Sequence, residues 1–134
     1  MPKQSGGCLC GQVTYEVDGA LVFSAVCHCP TCRKSAGAPM VGWAMFHAKD
    51  VRYDRSNVTE FASSEGVRRG FCSRCGTTLF YESDFIEGLI DVTTESLDDP
   101  DAIVPNAQIW TTHETECVRG LETMIRFPEL PPQD

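Results

Sequence analysis

The chain has 134 residues, of which 42% are hydrophobic and 22% are charged, and its net charge is −8 at pH 7. This composition excludes a disordered chain, and the acidic total argues against binding to nucleic acids or anionic membranes, which attract basic surfaces. The length predicts one domain over residues 1–134, with a flexible tail at 128–134. No stretch has the pattern of a signal peptide or a membrane span, so we expect the protein in the cytosol.

The predicted elements are mostly short β-strands, since eleven glycines and eight prolines interrupt the chain often. QVTYEV at 12–17 alternates apolar and polar residues, as a half-buried strand does, and VFSAVC at 22–27 predicts the next strand. PTCRKSAG at 30–37 predicts one helical turn, and MVGWAMF at 40–46 predicts another strand. Later short strands are predicted at 58–63, 68–72, 77–83, 88–94 and 107–112. Together they predict a mainly β fold of largely antiparallel strands.

Eight cysteines in a protein expected in a reducing compartment indicate metal ligands rather than disulfides. Seven of them form three groups, which are Cys8 and Cys10, then Cys27, Cys29 and Cys32, then Cys72 and Cys75. The C-x-x-C of the last group, followed by Gly76, is typical of a zinc knuckle, which supplies two of four ligands. On an extended strand Cys8 and Cys10 would point to the same side and supply the other two. We therefore predict a closed, structural zinc site.

The middle group, Cys27, Cys29 and Cys32, is then left with three thiolates for one metal ion. A missing fourth ligand is typical of catalytic zinc, which keeps a position for water or substrate. Three thiolates make zinc a weak Lewis acid, so the open position suits a thiol substrate better than a water nucleophile. The sequence thus predicts two zinc ions per chain, one structural and one catalytic.

Other interpretations of the middle group remain open. The group could be a second structural site whose fourth ligand is His28, His47, His113 or Cys117. It could also be a redox pair at Cys29 and Cys32. His28 is expected to point away from its two neighbouring cysteines on an extended segment, and Cys117 is expected to be an ordinary buried residue.

Three stretches, GGCLCGQVTYEV, CHCPTCRKSAGAP and RGFCSRCGTTLFY, closely resemble the glutathione-dependent formaldehyde-activating enzyme family, also called the Gfa/CENP-V domain. The resemblance covers about residues 6–109. It implies an Mss4-like, zinc-stapled β fold and a carbon–sulfur lyase activity in which glutathione adds to formaldehyde. The implied structural zinc ligands are Cys8, Cys10, Cys72 and Cys75, and the implied catalytic ligands are Cys27, Cys29 and Cys32.

The chain departs from this family near its C-terminus. Many relatives carry a histidine before an Ile-Trp pair, where this chain has Gln108, and a later tryptophan is replaced near Cys117. If this region lines the substrate pocket, the substrate differs from that of the relatives. A non-catalytic, zinc-stabilised binding module is the alternative function, and an open fourth zinc position is the feature that favours an enzyme.

The reaction suggests roles for several other residues. The thiol sulfur attacks the aldehyde carbon, and the developing alkoxide needs a donor, for which His28, Ser35 and the backbone near Gly37 are candidates. Arg33 and Lys34 either bind the carboxylates of a glutathione-like thiol or lie in solvent. Arg68, Arg69 and Arg74 flank the zinc knuckle, and their side chains either contribute to a site or face solvent. The remaining residues considered are expected outside the site, with Trp43, Met45 and Phe46 in the core and His47 and His113 on the surface.

Overall fold

The computed structural model describes residues 2–133, and in this range ten strands form two β-sheets. The strands are β1 (Gln4–Gly7), β2 (Thr14–Val17), β3 (Phe23–Cys27), β4 (Val41–His47), β5 (Val51–Tyr53), β6 (Val58–Ser64), β7 (Val67–Cys72), β8 (Thr78–Ser83), β9 (Leu89–Thr93) and β10 (Gln108–Ile109). The two α-helices of the described range are α1 (Pro30–Ala36) and α2 (Glu116–Arg119). Its single-turn 3-10 helices are Ala48–Asp50, Arg55–Asn57, Asp84–Ile86, Thr94–Ser96, Pro100–Ala102, Thr111–His113 and Leu121–Thr123.

The smaller sheet has the order β1-β2-β5, and the larger sheet has the order β10-β3-β4-β9-β8-β7-β6. The paired strands are antiparallel except β10, which runs parallel to β3. The prediction of a mainly β fold is confirmed, although the late strand is only two residues long and is parallel. Within residues 2–133 we find no helix of the length and hydrophobicity needed to cross a membrane.

Most predicted elements form where the sequence places them. In β2 and the residue before it, Val13, Tyr15 and Val17 are buried, while the polar residues between them are exposed. Helix α1 begins at a proline and ends at Gly37, whose φ of 64° is the left-handed conformation that ends many helices. Strands β1 and β5 were not predicted, because one lacks apolar residues and the other has only three residues.

One apolar cluster joins the two sheets. Tyr15 and Val17 of the smaller sheet belong to the same buried cluster as Phe46, Phe80 and Val92 of the larger sheet. The rings of Tyr15 and Phe80 meet edge to face with their centroids 5.5 Å apart. Each such side chain contributes about 1.5–3 kcal/mol when fully buried. Because successive residues of a strand point to opposite faces, the other face of the larger sheet is available for a site.

The C-terminal segment lies mostly at the surface. Residues 128–133 of the predicted tail are exposed and lie outside helices and strands, while its final residue lies outside the described range. The prediction that Cys117 is buried is wrong. Cys117 is exposed because the short helix α2, which carries it, buries none of its residues.

Candidate metal centres

The first candidate metal centre is a group of four cysteines, Cys8, Cys10, Cys72 and Cys75, whose sulfur atoms all lie within 4.8 Å of one another. The Sγ atoms of Cys8 and Cys10 are 3.6 Å apart, and those of Cys10 and Cys72 are 3.7 Å apart. A tetrahedral zinc ion with Zn–S bonds of about 2.3 Å separates its sulfur ligands by about 3.8 Å. The four thiols therefore fit a zinc ion in both chemistry and spacing.

Two turns bring the four sulfurs together. The turn between β7 and β8 carries Cys72 and Cys75, and its Gly76 has a φ of 79° that favours glycine. The prediction that Cys8 and Cys10 lie on an extended strand is wrong, because β1 ends at Gly7 and both residues lie in the turn that follows. That turn is closed by a backbone bond of 3.1 Å to the carbonyl of Cys8. The sulfurs converge through a tight turn rather than through strand alternation.

Backbone amides also face these sulfurs. The N–H groups of Arg74 and Cys75 both donate to Cys72 Sγ at 3.4 Å, and the N–H of Val13 donates to Cys8 Sγ at 3.2 Å. Such donors stabilise a thiolate more than a thiol, because the acceptor is then charged. The hydrogen bond from the N–H of Val13 is one of the contacts that lower the pKa of Cys8, and a bound metal ion would itself hold the four ligands as thiolates.

The second candidate metal centre is the group of Cys27, Cys29 and Cys32, whose three sulfurs also lie within 4.8 Å of one another. Cys27 ends β3, Cys29 is the N-cap of α1, and Cys32 lies in the first turn of α1. No histidine or further cysteine of residues 2–133 joins this group, so the alternative ligands His28, His47, His113 and Cys117 are not assembled here. All eight cysteines are free, so Cys29 and Cys32 are not cross-linked.

Strand β10 holds the segment that carries these three cysteines. The N–H of His28 donates to the carbonyl of Ile109 at 3.1 Å, and its ring Nε2 lies 2.8 Å from Oε1 of Gln108. The ring is fully buried and contacts β10, so His28 points away from the cysteines as predicted. Gln108, where the family resemblance leads one to expect histidine, therefore contacts His28, while the next residues, Ile109 and Trp110, line a cavity.

A cavity of about 480 Å³ opens at the three-cysteine group. Its floor is a row of residues that are direct pairing partners on five adjacent strands, and we call it the cavity row. The row consists of Phe23 (β3), Met45 (β4), Asp91 (β9), Tyr81 (β8) and Arg69 (β7). Directly paired residues share a face of a sheet, so these five side chains rise from the same face, opposite the core. The three cysteines stand beside the row.

Arg69 connects the cavity row to the cysteines. It is only 6% exposed, and its Nη1 lies 3.5 Å from Cys32 Sγ, while its Nε donates to Ser63 Oγ at 2.9 Å. The hydrogen bond from Cys27 and the guanidinium of Arg69 lower the pKa of Cys32 to about 5. Of the two orientations that the sequence left open, Arg69 has the one toward the site, because strand alternation turns it to the cavity and leaves Arg68 outside, paired with Asp84.

Asp91 is the one acidic residue of the cavity lining within residues 2–133. It is 8% exposed, and burial raises the pKa of its carboxyl to about 7, with a further contribution from the charge of Cys32. The sequence analysis overlooked Asp91 together with Tyr81. A signal existed, since Asp91 interrupts the apolar run from Leu89 to Val92, and a charged residue inside a buried strand needs a reason.

Several residues expected elsewhere lie at the cavity, and several expected there do not. Trp43 and Met45 line it, whereas Phe46 belongs to the core as predicted. Among the described residues that line the cavity, none is one of the predicted donors or anchors His28, Arg33, Lys34, Ser35 and Gly37. Arg33 instead donates from its Nε to the carbonyl of His28 at 3.1 Å. His47 and His113 are exposed as expected, and His113 also lines the cavity.

Trp110 lies at the cavity with an unusual backbone. Its φ of 58° is left-handed, a conformation that costs a non-glycine residue about 1–3 kcal/mol and that is common at functional sites. Its side chain is largely exposed, and its ring centroid lies 6.3 Å from that of His113. These two aromatic side chains therefore mark the solvent side of the cavity.

Comparison with known proteins gives matches to a family model, to a protein sequence and to a solved structure. The family model described as glutathione-dependent formaldehyde-activating enzyme matches residues 3–113. An uncharacterised lyase of Schizosaccharomyces pombe is 33% identical over 81 residues, which are 60% of this chain and 58% of that protein, so the chain matches little more than half of this relative. A crystal structure of a Rhodobacter sphaeroides protein has a TM-score of 0.63 at 21% identity, covering 78% of this chain and 98% of that one, and so shares the fold.

Replacing one ligand in each group distinguishes their roles. We expect Cys72→Ser to reduce the zinc content from about two ions per chain to about one and to destabilise the fold by about 3 kcal/mol or more, since a closed site contributes folding energy. Cys29→Ser is expected to remove one zinc ion and leave the fold intact. Zinc analysis and urea unfolding measure both, with the exposed Cys117→Ser as control. If both variants lose the same free energy of unfolding, the assignment of one structural and one catalytic centre is wrong.

The buried carboxyl of Asp91 makes stability depend on pH. Because its pKa is raised in the folded state, the folded protein holds a proton that the unfolded chain has released, so this contribution to stability is lost as pH rises through about 7. We expect Asp91→Asn to remove this loss. Between about pH 6 and pH 8, the free energy of unfolding of the variant should therefore rise by about 1 kcal/mol relative to that of the wild type. Urea unfolding at both pH values measures it. Asp18→Asn, which changes an exposed aspartate, should show the pH dependence of the wild type. If the free energy of unfolding of Asp91→Asn varies with pH in parallel with that of the wild type, the pKa of Asp91 is not raised.

Proposed function

The chain belongs to the glutathione-dependent formaldehyde-activating enzyme family, and from that premise we propose that it is a carbon–sulfur lyase. Its reaction joins a small thiol and a small aldehyde into a hydroxyalkyl thioether and cleaves the same adduct in reverse. Glutathione and formaldehyde, the pair in the family's description, are the first substrates to test. The lyase name of the Schizosaccharomyces pombe relative supports the reaction class.

One observation carries the proposal. The three sulfurs of Cys27, Cys29 and Cys32 lie close enough to share one ion, border a cavity, and have no fourth protein ligand among residues 2–133. The four-cysteine group has the four sulfurs that a closed zinc site needs and does not line this cavity. A centre that is one ligand short and faces a cavity suits catalysis, whereas a complete centre suits structure. This difference favours an enzyme over a binding module that is merely stabilised by zinc.

We assign one zinc ion to each cysteine group. At the three-cysteine group, zinc would supply positive charge and a free coordination position, which together favour the thiolate form of a substrate thiol. The chain's contribution is to fix three sulfurs at the end of β3 and the start of α1, where β10 and the helix backbone hold them. The N–H of Cys32, for example, donates to Cys29 Sγ at 3.4 Å.

The cavity walls bind and orient the two substrates. Aromatic and aliphatic side chains dominate the lining, and the rings of Trp43 and Tyr81 lie 5.9 Å apart. Apolar walls exclude water, and holding the aldehyde beside the thiol sulfur makes the addition effectively intramolecular. The same walls favour substrates with an apolar part, because few charged side chains other than Arg69 and Asp91 face the cavity.

Arg69 stabilises negative charge in the cavity. Its guanidinium is buried, is held by Ser63 and Thr31, and stacks over the ring of Tyr81 at 5.1 Å. When the sulfur adds to the aldehyde, negative charge moves to the carbonyl oxygen, and a fixed cation nearby lowers the energy of that state. Since these contacts fix the guanidinium before the substrate binds, little reorganisation is needed.

The proposed reaction is tested directly by exchange NMR with the zinc-loaded protein, glutathione and ¹³C-formaldehyde. We expect the wild-type protein to accelerate exchange between free and thiol-bound formaldehyde, and Cys29→Ser to abolish the acceleration, because the three-sulfur centre is then incomplete. Cys117→Ser is a matched control, since it removes an exposed thiol that belongs to neither group. Thiol binding by the wild type without any acceleration would instead indicate the binding module.

The role of Arg69 is tested against its neighbour in the sequence. We expect Arg69→Lys to lower kcat/KM by about 10- to 100-fold, because a lysine ammonium cannot keep the contacts of the planar guanidinium to Ser63 and Thr31. Arg68→Lys changes the same side chain on the opposite face, where it contacts Asp84, and should leave kcat/KM unchanged. Equal effects of the two substitutions, measured by the same exchange assay, would exclude a specific role for Arg69.

A further inference from the structure

Asp91 occupies the centre of the cavity row. Strand pairing places it directly between Met45 of β4 and Tyr81 of β8, and one strand further lies Arg69. Neighbouring strands are about 4.8 Å apart, so the backbone of Asp91 lies about 10 Å from that of Arg69. The carboxyl and the three cysteines line the same cavity of about 480 Å³. A thiol and an aldehyde bound in this cavity would have both the sulfurs and this carboxyl on its walls.

A structural role does not account for a carboxyl at this position. Asp91 is almost fully buried, and within residues 2–133 its side chain forms no ion pair or hydrogen bond. Its neighbours on the strand, Ile90 and Val92, are core residues, so an apolar residue at 91 would suit the strand equally well. A buried and unpaired carboxyl costs stability, and such groups concentrate at functional sites.

We propose that Asp91 is the proton-transfer residue of this cavity, which takes the proton of the incoming thiol and returns it to the aldehyde oxygen. The inference rests on the proposed function and extends it, because the three cysteines would be held as metal ligands and Arg69 stays protonated. His113 also lines the cavity, but it is exposed at the solvent side. None of the donors predicted from the sequence, which were His28, Ser35 and the backbone near Gly37, lines the cavity among the described residues.

The step balances without any further reactant. The carboxylate of Asp91 accepts the thiol proton as the S–H bond breaks, and the sulfur electron pair forms the new C–S bond. The π electrons of the carbonyl group move to oxygen, and Asp91 donates the same proton to that oxygen. The carboxylate is thereby restored, no electrons are exchanged with another molecule, and the reverse sequence cleaves the adduct.

The surroundings of Asp91 suit this dual role. A group that exchanges protons near neutral pH works best with a pKa close to 7, and burial raises the pKa of Asp91 to about that value. The titratable group paired with Asp91 on the next strand is Tyr81 of β8, whose own pKa is raised by burial, and the charge of Cys32 from α1 also acts on Asp91. The other titratable or charged groups of the cavity lining are Cys27, Cys29, Arg69 and the exposed His113. Strand β4 contributes only Met45 and Trp43, which do not titrate.

The test compares the zinc-loaded wild-type protein with Asp91→Asn, which keeps the shape but cannot exchange the proton. We expect turnover in the exchange assay to fall about 100-fold or more, while zinc content and glutathione affinity stay within about threefold of wild type. The pH dependence of turnover centred near 7 should disappear in Asp91→Asn and return, at lower turnover, in Asp91→Glu. Asp18→Asn, an exposed aspartate outside the cavity, is the matched control and should behave as wild type.

The possible failures are distinguishable. If the wild-type protein turns over and Asp91→Asn keeps its rate within about threefold, Asp91 is not the proton-transfer residue and the proposed function stands. If Asp91→Asn loses thiol affinity or zinc content to the same extent as it loses turnover, the role of Asp91 is structural and the inference is overturned. If the wild-type protein itself does not turn over, the proposed function fails and the inference fails with it.

A second measurement observes the wild-type protein itself and needs a variant only to assign one resonance. NMR of the wild-type protein with ¹³C-labelled aspartate follows the titration of the Asp91 carboxyl directly, with Asp91→Glu used for assignment. We expect its midpoint near 7 in the free protein and a change in its resonance when glutathione binds, because the thiol enters the same cavity. A titration midpoint of Asp91 below about 5, or a resonance that glutathione leaves unchanged, would overturn the proposal.

Discussion

The structure depends on the convergence of thiols that would repel one another if all were charged. Each cysteine group places its sulfurs within 4.8 Å, a spacing at which several thiolates are stable only around a cation. At the four-cysteine group such a cation would tie the turn after β1 to the turn between β7 and β8, which are far apart in the sequence. At the three-cysteine group it would instead join β3 to α1 and leave one position for a substrate.

The alternation of the larger sheet separates stability from chemistry. One face carries Phe46, Phe80 and Val92 into the core shared with the smaller sheet, and the opposite face carries the cavity row. A substitution in the row therefore changes the cavity more than the core, which is why polar residues such as Arg69 and Asp91 are tolerated within a buried sheet. Strand β10 completes the arrangement, because its bonds to β3 position both the cysteine segment and the aromatic side chains at the cavity.

The sequence predicted whatever depends on local pattern. Cysteine spacing predicted the two groups, alternation predicted β2 to β4 and the later strands, and the proline and glycine limits predicted α1. The cavity could not be predicted in this way, because Arg69, Tyr81 and Asp91 lie on three strands whose pairing register is a property of the whole sheet. Without that register, Arg69 was indistinguishable from Arg68, and Trp43 appeared to be an ordinary core residue.

The central claim, that one centre is complete and the other is open to a thiol, is tested most directly by ¹¹³Cd NMR of the cadmium-loaded protein during titration with glutathione. Cadmium replaces zinc at thiolate sites and reports on the ligands bound to each ion. The account predicts two resonances from sulfur-rich sites, of which only one moves as glutathione is added. A single resonance, two resonances that both move, or two that both stay unchanged as glutathione is added would contradict it.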